Sequence, residues 1–209
     1  MTDGRPGGPD ESGPELRARL RAARRAVDRG GRRAAERGLA SRLESLPELS
    51  QPAPGHARLA TYVAADGELD PNGALDALRA RGWEPHLPVV ADGRRMSFTP
   101  WPAGADLVRN RYGIPEPAGG PRRPAADLDV VLVPCVAVDP SGNRLGFGAG
   151  FYDRALEPVR TAVRPLRIAV AWDHAVVDEI TPCSWDVPVH VVVTERRVLR
   201  PGEVPHPGA

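Results

Sequence analysis

Lysine is absent from the 209-residue sequence, so all 28 of its basic side chains are arginines. Arginine stays charged and presents a planar fork to oxyanions, whereas a buried lysine can lose its proton. The basic side chains can therefore bind phosphate but are poor nucleophiles or bases. Because 27 acidic residues bring the net charge to +1, the chain as a whole has no strong positive electrostatic field that would attract nucleic acid or an anionic membrane. Any bound anion must be held by a local site.

Cysteine and long apolar segments are also scarce. Cys135 and Cys183 are the only two cysteines and do not form a C-x-x-C pair. No run of about 18 apolar residues marks a secretion signal or a membrane span. Cys135 lies in the apolar run VLVPCVAV, which favours a buried inert thiol over a nucleophile, and the same inert role is favoured for Cys183. These absences predict a cytoplasmic protein.

The order of the segments predicts one α/β domain. Residues 1–13 and 201–209 are rich in Gly and Pro and are interpreted as loose tails around a single domain of residues 14–200. Strand-like segments alternate with helical ones, and VVLVPCVAV is typical of a strand buried on both faces of a parallel sheet. The predicted fold is a layered α/β/α domain with a mainly parallel central sheet, Rossmann-like.

Periodicity locates the individual elements. Apolar residues at helical spacing predict a very basic amphipathic first helix, and a second helical face ends before Pro47. The apolar positions of the first helix are Leu16, Leu20, Ala23 and Val27. Strands are expected at RLATYV, HLPVV, MSFTPW, RIAVAW and VHVVVT. Residues 102–127 are rich in Pro and Gly with little periodicity, which predicts a long functional or mobile loop.

The most informative segment is VLVPCVAVDPSGNRLGFGAGFYDRAL. Its DPSG has the residues preferred in a type I turn, so Asp139 is interpreted as a turn residue. Alternating glycines follow, and a helical pattern begins near Tyr152. Glycine lets the backbone approach a ligand, and a helix N-terminus presents free N–H groups to an anion. The predicted phosphate site contains Arg144, Gly146, Gly148, Gly150 and Arg154. A flexible linker is the alternative, because G-x-G-x-G alone is a weak motif.

The run RLGFGAGFYD, which begins at Arg144, resembles the R-L-G-x-G-x-G-x-Y-D signature of the 5-formyltetrahydrofolate cyclo-ligase family. The resemblance continues through R-x-x-L-R at Arg17 to Arg21, GELD, MSF-x-x-W, YGIPEP and D-x-P-V-x-x-V-V-T-E. It implies an enzyme that uses ATP and Mg²⁺ to convert 5-formyltetrahydrofolate into 5,10-methenyltetrahydrofolate, with release of ADP and phosphate. We expect a monomer that has small-molecule substrates and binds neither nucleic acid nor membrane.

The resemblance assigns nucleotide-binding and catalytic roles. It places Arg17 and Arg21 at the nucleotide, although their charge pattern alone favours a solvated helix face. Arg144 and Tyr152 would be catalytic. The full phosphate cradle would consist of Arg144, Leu145, Gly146, Phe147, Gly148, Ala149, Gly150, Phe151 and Tyr152.

The resemblance also implies a metal site and a folate site. Asp153 and Asp186 would bind magnesium, which commonly takes one or two carboxylates. The alternatives are an acidic residue in a first helical turn for Asp153 and a turn or cap for Asp186. Glu68 would contact the pterin, but it could instead be an exposed loop glutamate.

Four apolar side chains could line the flat slot that a pterin and its benzoyl arm require. They are Val63, Met96, Trp101 and Tyr112. Each could equally belong to the core, and we rank Met96 and Tyr112 first. The substrate-binding set is therefore Val63, Glu68, Met96 and Tyr112.

Three positions depart from the family pattern. Arg17 stands where lysine is usual, Ala175 lies where a glutamine is expected, and Trp185 precedes Asp186 where many members have histidine. The departures motivate a second hypothesis, a non-catalytic folate- or nucleotide-binding paralogue. A third, an RNA-binding surface on the Arg-rich first helix, is disfavoured by the balanced charge. The histidines show no zinc-binding motif, and His190 is interpreted as structural or exposed.

Overall fold

A seven-stranded sheet organises the part of the chain that this computed structural model describes, residues 13–91 and 95–202. The strands in these ranges are β1 (Arg58–Ala60), β2 (Glu84–Val90), β3 (Met96–Pro100), β4 (Leu107–Arg109), β5 (Pro115–Pro117), β6 (Val130–Pro134), β7 (Ala137–Val138), β8 (Arg144–Leu145), β9 (Leu166–Val170), β10 (Val191–Val193) and β11 (Val198–Leu199). The helices are α1 (Gly13–Ala26), α2 (Arg29–Ser45), α3 (Leu75–Ala80) and α4 (Phe151–Leu156). The predicted tails lie outside the described residues, apart from Gly13, which begins α1, and the turn at residues 201–202.

The strand order is β11-β10-β9-β6-β1-β2-β3. The five inner strands run parallel, and the edge strands β3 and β11 are antiparallel to their neighbours. The chain moves outward from β1 to β3 and then returns to the other side of β1 as β6. The carboxyl ends of β1 and β6 thus flank the point where the order reverses, which is where open α/β sheets bind ligands. The predicted α/β fold with a mainly parallel sheet is confirmed.

Apolar cores lie on both faces of the sheet. Strand β6 supplies Leu132 to one core and Val131 and Val133 to the other, because successive side chains of a strand point to opposite faces. The first core contains side chains of α1, α2 and α3, and the second contains Leu156 of α4. Burying one such side chain contributes about 1.5–3 kcal/mol, so the uniformly apolar strand holds the two helical layers together.

The first helix buries a different face from the predicted one. Leu16 and Leu20 are buried as expected, but Ala23 is exposed and Arg24 is buried in its place. The guanidinium of Arg24 makes hydrogen bonds to another loop, described below, which compensate for its removal from water. The second helix ends before Pro47 as predicted.

The segment of residues 102–127 is not a structureless loop. Strands β4 and β5 form an antiparallel hairpin, and the side chain of Asn110 accepts hydrogen bonds from the backbone of Tyr112 and Ile114 at its tip. Arg123 forms a backbone bridge with Phe98 of β3. The strands of the hairpin are only three residues long, too short to produce a periodic signal.

No helix within residues 13–91 or 95–202 is long and apolar enough to cross a membrane.

Candidate functional site

A short hairpin delivers the glycine-rich segment to the carboxyl edge of the sheet. Strands β7 and β8 pair, and Gly142 donates to the carbonyl of Asp139 at 3.0 Å to close the predicted turn. The carboxylate of Asp139 is buried and accepts hydrogen bonds from the backbone and side-chain nitrogens of Asn143 and from the backbone of Ile180. The turn interpretation of Asp139 is confirmed, and its hydrogen bonds fix the hairpin that carries Arg144.

The glycines that follow, residues 146–150, form what we call the glycine loop. Gly148 and Gly150 have φ angles of 94° and 65°, which side chains disfavour. Gly146 is different, because its φ lies outside that region and a Cβ added there would meet no atom within 4 Å. The fold itself does not require glycine at position 146. The missing side chain leaves open space beside the backbone.

The helix after the glycine loop is shorter than the sequence pattern suggested. Helix α4 has six residues and continues as a 3-10 turn, Glu157–Val159. The helix macrodipole is the sum of the aligned peptide dipoles. A helix of six residues therefore adds little positive electrostatic potential at its N-terminus. An anion at this loop would depend on backbone N–H groups and arginines rather than on a helix dipole.

Helix α1 packs its arginines against the glycine loop. Arg17 donates from Nε to the carbonyl of Gly146 at 2.7 Å. The guanidinium carbons of Arg21 and Arg24 lie 5.2 and 4.9 Å from the ring centroid of Phe147, within cation–π distance. The structure therefore brings Arg17 and Arg21 to the predicted cradle, and neither belongs to a merely solvated helix face.

Asp66 joins α1 to the loop after β1, a role that no pattern in the sequence predicted. Its carboxylate pairs with Arg21, Arg24 and Arg25 at 2.7, 3.0 and 3.0 Å. Burial raises the pKa of Asp66, but hydrogen bonds from Arg21 and Arg24 outweigh it and lower the pKa overall. Asp66 also has a φ of 49°, a conformation rare for residues with a side chain.

Glu68, two residues later, is buried and not an exposed loop residue. Its carboxylate accepts a hydrogen bond from the backbone of Ala65 at 2.9 Å. Removal from water raises its pKa to about 7, so the group is partly protonated at neutral pH. Trp172 donates to the neighbouring carbonyl of Gly67 at 2.9 Å. A cleft of about 470 Å³ is lined by Arg25, Arg32, Glu36, Ala64, Ala65, Asp66, Gly67, Glu68 and Asp70.

Arg144 and Asp153 form the ion pair at the centre of the site. Their side chains are 2.6 Å apart and expose 4% and 19% of their surfaces. The same oxygen of Asp153 accepts a hydrogen bond from the backbone of Val187 at 3.3 Å. Asp186, beside Val187, caps a turn by accepting from the backbone of Cys183 at 2.8 Å. The structure thus places the two predicted metal ligands on adjoining segments.

The carboxylates available here are few. Residues 13–91 and 95–202 contain no group of three or more His, Cys, Asp and Glu side chains that could hold a metal ion. Asp153 lines a cleft shared with the glycine loop. One or two carboxylates beside the glycine loop fit magnesium, which commonly takes one or two carboxylates and completes its coordination with water and phosphate.

Tyr152 contributes a hydroxyl with no hydrogen-bond partner. The hydroxyl oxygen and Nε of Arg144 are both buried and unpaired. Burial raises the pKa of Tyr152 well above its usual range, and the charge of Glu68 raises it further. The phenol therefore stays neutral and has a proton to donate. A buried unpaired hydroxyl costs stability, which makes Tyr152 a candidate for ligand binding.

The remaining predicted substrate residues are only partly brought together. Tyr112, at the tip of the β4–β5 hairpin, contacts Phe151 edge-to-face at 5.9 Å. Met96 begins β3, which packs against α4, and Met96 and Tyr152 border the same core. Val63 is half-buried after β1. Trp101 packs against the first core beneath Arg79, so it is a structural residue.

A second cleft opens beside the glycine loop. Its volume is about 320 Å³, and it is lined by Gly148, Ala149, Gly150, Asp153, Arg154, Glu157 and Trp185. Neither Glu157 nor a binding role for Trp185 was expected from the sequence. Arg154, at the predicted flank of the loop, donates a hydrogen bond to the carbonyl of Ala149.

Several other predictions concern residues with structural roles. Cys135 is buried, and burial raises the pKa of its thiol to about 12, as the inert interpretation requires. Cys183 is exposed. His190 accepts a hydrogen bond from the backbone of Arg167 at 3.0 Å, and Ala175 is buried in a 3-10 turn.

Comparison with known proteins gives a consistent result. The model of the 5-formyltetrahydrofolate cyclo-ligase family matches residues 9–195. The 5-formyltetrahydrofolate cyclo-ligase of Escherichia coli K12 is 34% identical over 144 residues, 67% of this chain and 79% of the relative. That of Mycolicibacterium smegmatis is 37% identical over 142 residues, 65% of this chain and 72% of the relative.

Solved structures show the same fold. The 5,10-methenyltetrahydrofolate synthetase of Aquifex aeolicus superposes with a TM-score of 0.76 at 32% identity, covering 94% of this chain and 96% of that one. The synthetase of Mycoplasma pneumoniae has a TM-score of 0.71 at 18% identity, over 89% of this chain and 100% of that one. The second likeness concerns the fold alone.

Proposed function

Because this chain belongs to the 5-formyltetrahydrofolate cyclo-ligase family, we propose that it converts 5-formyltetrahydrofolate into 5,10-methenyltetrahydrofolate at the expense of ATP. The observation that carries the proposal is the glycine loop at the switch point of the sheet. Its Gly146 leaves space that no protein atom fills. Arg17 of α1 donates a hydrogen bond to the carbonyl of Gly146, and Arg144, two residues before Gly146, pairs with Asp153 of α4. A polyphosphate fits such a loop of backbone amides and arginines.

The reaction needs activation of a poor leaving group. The formyl oxygen attacks the γ-phosphorus of ATP, the bond to the β-phosphate oxygen breaks, and ADP departs. Nitrogen 10 then attacks the formyl carbon and loses its proton. The carbon–oxygen bond breaks, phosphate leaves, and the ring closes. Catalysis of the first step requires mainly in-line positioning and neutralisation of phosphate charge.

The residues of the site match these requirements. Arg144 would stabilise the negative charge that accumulates on the transferred phosphate, because it is a fixed cation in a partly dry site. The buried neutral hydroxyl of Tyr152 would donate a hydrogen bond to a phosphate or formyl oxygen. The carboxyl of Glu68 would accept hydrogen bonds from the pterin, while Met96 and Tyr112 would contact its flat rings. Val63, which follows β1, would extend that surface.

Asp153, with Asp186 beside it, would hold magnesium. When bound, the ion would neutralise phosphate oxygens of ATP. The carboxylate of Asp153 would then contact the ion and pair less closely with Arg144, which would leave the guanidinium available to the phosphate. The carboxylate of Asp186, which caps the adjoining turn, would remain the secondary ligand.

Turnover by the purified chain tests the proposal. With 5-formyltetrahydrofolate, ATP and magnesium, the absorbance of the methenyl product should appear, with one ADP formed per product. A reaction without ATP is the control. Thermal stabilisation by either ligand without any product would contradict the proposal and favour the non-catalytic paralogue, for which ligand binding alone shifts the melting temperature.

Asp153→Asn tests the metal role. The amide keeps the shape of the side chain but removes its charge, so the magnesium concentration needed for half-maximal turnover should rise at least about tenfold. Removing one partner of a buried ion pair also destabilises the fold, so the melting temperature is measured in parallel. Asp76→Asn, at a fully exposed carboxylate of α3, is the matched control. An unchanged magnesium requirement in the folded Asp153→Asn variant would exclude Asp153 as a ligand.

A further inference from the structure

A large aromatic side chain lies exposed next to the glycine loop, and the reaction described above gives it no role. Trp185 exposes 65% of its surface, although tryptophan is usually well buried because of its large apolar area. Its ring lines the cleft of about 320 Å³ that also contains Gly148, Gly150 and Asp153. An exposed flat ring in the wall of a cleft is suited to stacking on a flat ligand.

The backbone holds Trp185 at this position. The turn of residues 183–186 is closed by the backbone hydrogen bond from Asp186 to Cys183 at 3.1 Å. Arg160 donates to the carbonyl of Ser184, and Val187 donates to the carboxylate of Asp153 on α4. The turn is thus tied to Asp153 of α4 and to Arg160, which follows the 3-10 turn after α4, so the exposed ring is positioned without being packed into a core.

Glu157 provides a polar group in the same cleft. It lies on the 3-10 turn that continues α4, one helical turn beyond Asp153, and its side chain is exposed. A carboxylate accepts hydrogen bonds but has none to donate when ionised. It therefore suits the exocyclic amine of adenine, whereas the corresponding atom of guanine is a carbonyl oxygen that it would repel.

We propose that Trp185 and Glu157 form the nucleobase subsite of the nucleotide site. The inference rests on the proposed function, which places the phosphates at the glycine loop. The phosphates then occupy the end of the cleft formed by Gly148, Gly150 and Asp153. The adenine extends to the other end, where the Trp185 ring stacks on it and Glu157 accepts from its amine.

Separate measurements on ATP and inorganic tripolyphosphate test the stacking role. Tripolyphosphate has the charged part of ATP and no base, so it probes the phosphate cradle alone. Trp185→Ala should raise the KM for ATP about tenfold or more, by the loss of one stacking contact. The inhibition constant of tripolyphosphate and the kcat should stay unchanged. Trp185→Phe should restore most of the affinity, since a flat ring remains.

Val163→Ala is the control, because this side chain is 86% exposed and precedes the amino end of β9, away from the carboxyl edge. An unchanged KM for ATP in Trp185→Ala would overturn the inference. An equal loss of tripolyphosphate binding would also overturn it, because the ring would then only support the loop. If the wild-type chain neither binds ATP nor forms product, the proposed function fails, and the proposed subsite fails with it. If the wild-type chain turns over normally and Trp185→Ala has an unchanged KM for ATP, only the subsite is wrong.

Glu157→Gln tests the hydrogen bond to the base. The amide can donate as well as accept, so the preference for ATP over GTP, measured as the ratio of kcat/KM values, should fall at least about fivefold. Tripolyphosphate inhibition should again be unaffected. An unchanged ratio would remove Glu157 from the subsite.

Discussion

Single residues of the site owe their chemistry to burial rather than to residue type. Glu68 lies in a polar GELD sequence that is typical of an exposed turn, yet the structure buries its carboxyl and raises its pKa to about 7. Cys135 sits in an apolar run, and its burial could be predicted from the sequence. The difference is that apolar periodicity reports the core, while the burial of a loop carboxylate depends on distant segments.

Glu68→Gln should change the pH dependence of stability. The pKa of Glu68 is raised from 4.5 to about 7 in the folded state, so between these values the folded chain keeps a proton that the unfolded chain has lost. The free energy of unfolding therefore falls as pH rises through this window, by up to about 3 kcal/mol. Urea unfolding at pH 4.5 and 7.5 should show this loss in the wild type and a smaller one in Glu68→Gln. Equal losses in the two proteins would contradict the raised pKa.

The two cysteines should differ in reactivity. Burial raises the pKa of Cys135 to about 12 and shields it, whereas Cys183 is exposed, and only the accessible thiolate reacts quickly. A chromogenic thiol reagent should therefore modify one thiol per native chain at neutral pH and two after denaturation. Cys183→Ser should remove the fast reaction. Two fast thiols in the native wild type would rule out the burial of Cys135.

Among the elements, α1 shows where sequence periodicity stops being informative. Leu16 and Leu20 identify the helix and its buried side, but Arg24 takes the place expected for Ala23. The reason is Asp66, which is 42 residues away in sequence and accepts from Arg24. A tertiary ion pair of this kind leaves no local pattern, so neither the shifted helix face nor the role of Asp66 could be predicted.

Asp66→Asn should weaken the docking of α1. Asparagine also tolerates a positive φ, so the substitution removes the charge without straining the backbone. The buried Arg24 would lose its ionic partner, and we expect the free energy of unfolding to fall by about 1–3 kcal/mol in urea titrations. Asp76→Asn, at an exposed pair on α3, should change it by less than about 0.5 kcal/mol. Similar values for the two variants would show that Asp66 does not anchor the helix.

At the scale of the whole molecule, the sheet order brings together segments that are distant in sequence. The apolar runs predicted a mainly parallel sheet, and the glycine-rich segment identified one side of the site. The order of the strands could not be read from these patterns. That order places the Asp66–Glu68 loop after β1 next to the hairpin after β6, and the second cleft beside α4 depends on a turn at residues 183–186 that has no strand or helix signal.

Gly146→Ala tests the central claim that the glycine loop holds a triphosphate. An alanine methyl group meets no protein atom within 4 Å at this position, and the φ angle needs no glycine. The melting temperature should therefore stay within about 2 °C of the wild type. Titration calorimetry with ATP should show affinity reduced at least about tenfold, because the methyl group would occupy the space that we propose for the phosphates. Unchanged ATP affinity in this folded variant would contradict the account.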